Sequence, residues 1–275
     1  MSAERAAPPG GGPNASVSGP STSAAWLLRP APRPGARVRL FCFAQAGGTA
    51  SAYKTWPADF PDDVEICAVQ LPGREGRLRE SPITRIPALV EAAVAALRSH
   101  FVRPFALFGH SMGAVVAFEV ARAIGAGNGT PPLHLFVSGR GAPHLPRRHP
   151  DIARFPHDAF VAEVRKRYDS IPEEVLRTPD MMELLVPIIR ADVEAIEQYA
   201  PLPGPPLSCP ITAYCGSDDN QATREELAEW RAYTSGTFRQ VMFPGAHSFV
   251  RTCRGPLAAD IASTLRSLTG KHGAV

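Results

Sequence analysis

One stretch of the chain combines residue types at a spacing suited to covalent chemistry: Gly109-His110-Ser111-Met112-Gly113, a G-x-S-x-G pentapeptide. Five residues of this kind recur by chance, so the flanks carry the argument. Phe105-Ala106-Leu107-Phe108 before it reads as a short strand buried on both faces, and residues 112–124 after it read as a helix. A serine in so sharp a strand-to-helix turn is lifted from the sheet on a strained backbone. Glycines two residues to either side leave room for the close approach. The helix behind it aims its first N–H groups at any negative charge that develops there.

A serine hydroxyl is a poor nucleophile at neutral pH and needs a base, which an acid must orient. In this strand–turn–helix context the chain order is serine, acid, histidine. Of eight histidines, only His247 and His272 follow the later acidic candidates. His272 lies in the terminal Gly270-Lys271-His272-Gly273. His247 lies in Phe243-Pro244-Gly245-Ala246-His247, a loop directly after a predicted strand, and is the candidate base. The acid should follow the preceding strand, which runs into Gly216-Ser217-Asp218-Asp219. Both aspartates suit the chemistry; the G-x-x-D spacing favours Asp219 and leaves Asp218 to shape the turn. Glu225 and Glu226 read as the solvated face of the next helix. An oxyanion would need two N–H donors. One is the amide of Met112. The other belongs to the loop Gln45-Ala46-Gly47-Gly48, with Ala46 the first choice and Gln45 the second. That glycine pair lacks the lysine and spacing of a phosphate loop.

The elements that must hold these groups alternate. Strands are expected over residues 38–43, 64–70, 105–108, 133–137, 211–215 and 239–243, with helices over 88–97 and 112–124. Leu257, Ile261, Leu265 and Leu268 form one stripe of a closing helix. Such alternation predicts an α/β fold: a mostly parallel central sheet with helices on both faces. Residues 150–200 interrupt the rhythm and read as helical throughout. Thr178-Pro179 is a helix start and Pro187 an interior bend. A helical insertion of this kind is expected to be a lid over the site. Residues 23–270 are therefore expected to form one domain. Residues 1–22, rich in Pro, Gly, Ser and Ala, are expected to be a disordered tail.

Composition excludes other classes. The chain has 275 residues, 44% of them hydrophobic, with 29 basic and 26 acidic residues and a net charge of +3. That is ordinary for a globular core and too balanced for a nucleic-acid binder held by phosphate neutralisation. No uninterrupted apolar run is long enough to span a membrane, and no signal peptide is recognisable. Five cysteines at irregular spacing, without a C-x-x-C, argue against a disulfide framework or a zinc site. A reducing, cytoplasmic setting follows as the default. Nothing demands an oligomer, so a monomer is expected.

Five segments together resemble the type II thioesterases, the stand-alone thioesterases of polyketide and nonribosomal peptide pathways. They are Leu40-Phe41-Cys42-Phe43 leading to Ala46-Gly47-Gly48, Val69-Gln70-Leu71-Pro72-Gly73-Arg74, Phe108-Gly109-His110-Ser111-Met112-Gly113, Val137-Ser138-Gly139-Arg140 with Ala142-Pro143-His144, and Phe243-Pro244-Gly245-Ala246-His247. The V-Q-L-P-G-R and S-G-R-x-A-P-H segments are more telling than the pentapeptide, because generic esterases do not share them. Two departures stand out: Gln45 sits where many members have histidine, and Ala246-His247-Ser248 replaces a more usual Gly-His-Phe. Neither removes a triad group; both bear on the pocket. The resemblance implies an α/β-hydrolase fold with a flexible helical lid. It implies hydrolysis of acyl thioesters on the phosphopantetheine arm of acyl or peptidyl carrier proteins, as an editing step. Ser111 would be the nucleophile, His247 the base and Asp219 its partner, with Met112 and Ala46 in the oxyanion hole and no metal or bound cofactor. The competing readings are a carboxylesterase or lipase of the same fold, a chain-releasing thioesterase, and a carrier-binding module that has lost turnover.

Overall fold

The computed structural model describes residues 23–127, 129–168 and 177–270. The tail expected over residues 1–22 lies outside the described residues, and so does His272. Seven strands form one sheet in the order β1-β3-β2-β4-β5-β6-β7. They are β1 (Leu27–Leu28), β2 (Val38–Phe43), β3 (Val64–Val69), β4 (Phe105–His110), β5 (Leu135–Ser138), β6 (Ile211–Gly216) and β7 (Phe238–Phe243). All neighbouring pairs are parallel except β1 with β3. The sequence pattern located six of these strands; the two-residue β1, too short to show a period, it did not. The helices used below are α1 (Ile86–Leu97), α2 (Met112–Ala126), α3 (His157–Tyr168), α4 (Pro179–Glu197), α5 (Arg224–Ala228), α6 (Phe249–Thr252) and α7 (Arg254–Gly270).

Strand residues alternate between two cores because successive side chains point to opposite faces. Phe41, Phe43, Phe105 and Leu107 pack with α1 and α2 on one face. Leu40, Cys42, Ala106 and Phe108 pack on the other with Tyr53, Trp56 and the α7 residues Leu257, Ile261 and Leu265. Burial on both faces explains why the middle strands read as unbroken apolar runs.

Strand register sets up the site. Phe43 pairs with Gly109, His110 with Ser138, Ser138 with Tyr214, and Gly216 with Phe243. The carboxyl ends of five adjacent strands are therefore level. The segments that follow them, beginning at Ala44, Ser111, Gly139, Ser217 and Pro244, emerge along one edge. In open α/β sheets that edge is where ligands bind.

The insertion after β5 is less helical than its sequence suggests. Residues 146–156 form no helix, and residues 169–176 lie outside the described residues. What is described is α3 and α4, with Thr178 preceding α4 and Pro179 in its first turn. The proline-rich, charged segment before α3 has no apolar period of its own to bury.

Just before β5, His134 is buried, stacks on Phe136 at 4.3 Å and shares a 2.8 Å hydrogen bond with Thr212 Oγ1. Burial first, and Arg239 second, push its pKa down to about 3. The unfolded chain, with an ordinary histidine near 6.5, takes up this proton first. The group's contribution is thus fully present above about pH 6.5 and declines as pH falls toward 3, at up to about 1.4 kcal/mol per pH unit. His134→Gln should therefore lose stability less steeply than the parent between pH 7 and pH 5, by about 2 kcal/mol. Urea unfolding at the two pH values measures this, and equal slopes would contradict it.

Candidate active site

Strand β4 ends at His110 and α2 begins at Met112, so Ser111 alone makes the turn. Its φ of 55° and ψ of −114° lie in a region that L-residues rarely occupy, at a cost of about 1–3 kcal/mol. The strain persists because the backbones around it are in contact. A Cβ on Gly113 would fall within 3.0 Å of the Phe43 carbonyl, and one on Gly109 within 3.0 Å of the Gly113 carbonyl. β2, β4 and the first turn of α2 can approach this closely only with glycine at both positions. The Ser111 amide donates to Ser138 O at 2.8 Å, which fastens the turn to β5.

His247 and Asp219 meet at the same edge. The imidazole Nδ1 lies 3.0 Å from Asp219 Oδ2 and 3.1 Å from Oδ1, with both side chains buried. The carboxylate is held in turn by the Gln221 amide at 2.8 Å and the Cys215 thiol at 3.5 Å. Asp218 is exposed; its amide donates to Gly245 O at 2.9 Å, and it shapes the turn without touching the imidazole. Glu226 is not the solvated residue that its sequence position suggests. It closes a capping box with Thr223 at the start of α5 and accepts from Arg148 at 2.9 Å. The T-x-x-E spacing was the available signal.

Sequence reasoning assigned no role to His110. Its ring is buried 4.9 Å from that of His247 and shares a 3.0 Å hydrogen bond with Ser138 Oγ. Burial, then the adjacent His247, hold its imidazole well below the ordinary histidine pKa. A neutral ring thus supports the wall behind His247. Among the described residues no group of His, Cys, Asp or Glu is arranged to hold a metal ion. Burial pushes the thiols of Cys67 and Cys209 up to about 12 and those of Cys42 and Cys215 up as well, so all four behave as small hydrophobes.

The loop after β2 leaves the sheet beside the first turn of α2, where a Cβ on Gly113 would also meet Ala44 O. Gln45 and Ala46 are half-buried, and the Gly48 amide closes a turn onto Gln45 O at 2.8 Å. Ala46 packs under α3 and α4, where Phe160, Val164, Val186, Ile189 and Val193 make a small core of their own. The two halves of α4 differ. Its first turns expose Met181 and Leu184; from Val186 onward it buries Val186, Ile188, Ile189, Asp192 and Val193. The second half rests on the loop after β2, with Asp192 bonded to the Gly47 amide and Ile189 lying over Gly47. Asp192 was missed from the sequence, although a carboxylate within the apolar stripe formed by Ile188, Ile189, Val193 and Ile196 was a readable anomaly. A separate apolar groove of about 940 Å³ between α1, α2 and the Tyr199–Cys209 segment contains none of these residues.

A mostly parallel sheet with helices on both faces, a strained serine turn at its carboxyl edge and a helical cover define an α/β hydrolase. The family model described as "Thioesterase domain" matches residues 38–267, and the chain belongs to that family of enzymes, hydrolases acting on thioesters. It is 40% identical to the gramicidin S biosynthesis protein GrsT of Aneurinibacillus migulanus, over 88% of this chain and 94% of that protein. Two solved structures are similar across nearly their whole length. The type II thioesterase BorB of the borrelidin cluster has a TM-score of 0.82 at 35% identity, covering 90% of this chain and 100% of that one. RedJ, the prodiginine-pathway thioesterase of Streptomyces coelicolor, has a TM-score of 0.78 at 38% identity, covering 84% and 87%.

Close backbone contact at the turn has a direct consequence. Gly113→Ala should lower stability by about 3 kcal/mol, because no side chain can yield to relieve a clash between main chains. Chemical denaturation measures the effect, and a midpoint near the parent's would show that β2 and α2 can separate.

Proposed function

We propose that this enzyme hydrolyses acyl thioesters carried on the phosphopantetheine arm of acyl or peptidyl carrier proteins. Its task is editing, the removal of stalled or aberrant acyl groups in a polyketide or nonribosomal peptide pathway. The observation that carries this reading is the likeness, nearly end to end, to stand-alone thioesterases of such pathways, BorB and RedJ among them. Residues 23–270 act as one catalytic domain that works as a monomer in the cytoplasm. The four buried cysteines, whose thiols are free, support the reducing setting.

In this mechanism Ser111 Oγ attacks the thioester carbonyl while His247 takes its proton. Asp219 holds the imidazole by Nδ1, which leaves Nε2 as the basic nitrogen, and it stabilises the imidazolium that forms. The amides of Met112 and Ala46 receive the oxyanion of the tetrahedral intermediate. Collapse expels the pantetheine sulfur, a far better leaving group than an alkoxide, and the His247 imidazolium gives its proton to that sulfur, which restores the neutral base. His247 then activates water, which releases the acyl group from Ser111 and restores the serine. No metal or bound cofactor takes part; the pantetheine arm enters and leaves with the substrate.

Thiol release from a panel of acylated carrier proteins tests the reading, set beside hydrolysis of matched acyl-pantetheine thioesters and oxoesters. A clear preference in kcat/KM for the thioester is expected; an equal or greater rate on the oxoester would favour a carboxylesterase. Ser111→Ala should abolish turnover while the protein stays folded. Asp219→Asn should lower kcat by about 10³–10⁴-fold, whereas Asp218→Asn should stay within about threefold of the parent, as exposed substitutions do. The reverse ranking would move the acid by one residue.

A further inference from the structure

We infer that Asp192 on α4 is a positioning residue for the oxyanion hole, so that the hole is complete only when the second half of α4 is seated. The inference rests on the assignment of the Ala46 amide as an oxyanion donor. Asp192 Oδ2 accepts from the Gly47 amide at 2.7 Å and from Arg74 Nη1 at 2.7 Å, while Oδ1 accepts from Arg74 Nη2 at 2.9 Å. Arg74 also donates to Gly48 O at 3.2 Å. Both ends of the Gly47–Gly48 segment are therefore held by one ion pair, whose side chains are 2% and 1% exposed.

The consequence for Ala46 follows from peptide geometry. The Gln45 carbonyl and the Ala46 N–H belong to one planar trans unit and point in opposite directions. Because Gly48 N donates to Gln45 O, the Ala46 N–H is turned out of the loop. That turn requires Gly47 at φ +70°, beneath Ile189 of α4. Asp192 gives the Gly47 amide its acceptor on the lid side. Without it this half-buried N–H loses its acceptor, and the Gln45–Gly48 turn is free to rotate the Ala46 donor away from the serine.

The test compares Asp192→Ala and Asp192→Asn with the parent. Readouts are kcat and KM on an acyl-pantetheine, and affinity for the matching trifluoromethyl ketone, whose adduct with Ser111 presents an oxyanion. Asp192→Ala should lose about 10²-fold in kcat, the scale of a donor displaced by an ångström, with KM nearly unchanged. Ketone affinity should fall by a similar factor. Asp192→Asn keeps an acceptor for the Gly47 amide and should stay within about threefold of the parent. If Asp192→Ala does not fold, Asp192→Ser is used: its hydroxyl is too short to reach that amide, and the same loss is expected. A loss confined to KM, an unchanged ketone affinity, or equal damage from Asn and Ala would overturn the role of Asp192 while Ser111-dependent hydrolysis by the parent still stands. Turnover that survives Ser111→Ala would instead overturn the active-site reading, and this inference with it.

Discussion

The site depends on one main-chain constraint: a strand must become a helix across a single residue. Ser111 takes a φ of 55° because no relaxed conformation connects β4 to α2 in so short a space. The strain of about 1–3 kcal/mol is not relieved locally, since the surrounding backbones leave nowhere for the turn to relax. β2 presses on Gly113 from one side, and β5 holds the Ser111 amide on the other. Two flat apolar cores, one on each face of the sheet, keep these strands together. Hydrophobic burial at long range thus maintains a conformation that the local sequence disfavours.

That constraint also explains why distant segments converge. Level strand ends bring the loops after β2, β4, β5, β6 and β7 to one edge, so residues far apart in sequence meet with little further design. Asp219 and His247 come from adjacent strands and need only the short turns that carry them past the sheet. The Gln221 amide and the Cys215 thiol hold the carboxylate, and His110, itself fixed by Ser138, lies against the imidazole. Each group is oriented by a neighbour that is buried or part of the main chain, so little orientational freedom is left to lose on binding.

Much of this was legible in the sequence because parallel strands and their connecting helices have strong periods. The pentapeptide, the loop histidine and the G-x-x-D spacing lie at strand ends, where the pattern changes sharply. Other features had no such signal. β1 is two residues long and exists through its pairing with Ala68 and Val69. The segment before α3 looked helical by continuity, yet its prolines and charged residues bury no stripe. Glu226 and His110 are polar residues whose partners lie in other elements, and no one-dimensional pattern contains those partners. Asp192 was different: its position within an apolar stripe was visible, and its meaning was not, because Arg74 and Gly47 lie 118 and 145 residues away.

The Arg74–Asp192 pair is poorly explained as a device for stability. A fully buried ion pair is desolvated on both sides, and well-packed apolar residues of similar volume commonly match or exceed its contribution. The surroundings could accommodate such a replacement, since Ile189 and Val193 flank Asp192 on an apolar face. What an apolar pair could not do is receive the Gly47 amide and hold Gly48 O at the same time. Those two main-chain groups lie half-buried beside the helix, where an apolar neighbour would leave them without a protein partner. The ion pair supplies both from a single rigid fork, and it orients the loop as a consequence of satisfying it. On this argument α4 and the Gln45–Gly48 loop are one hydrogen-bonded unit, joined through Asp192 and Arg74.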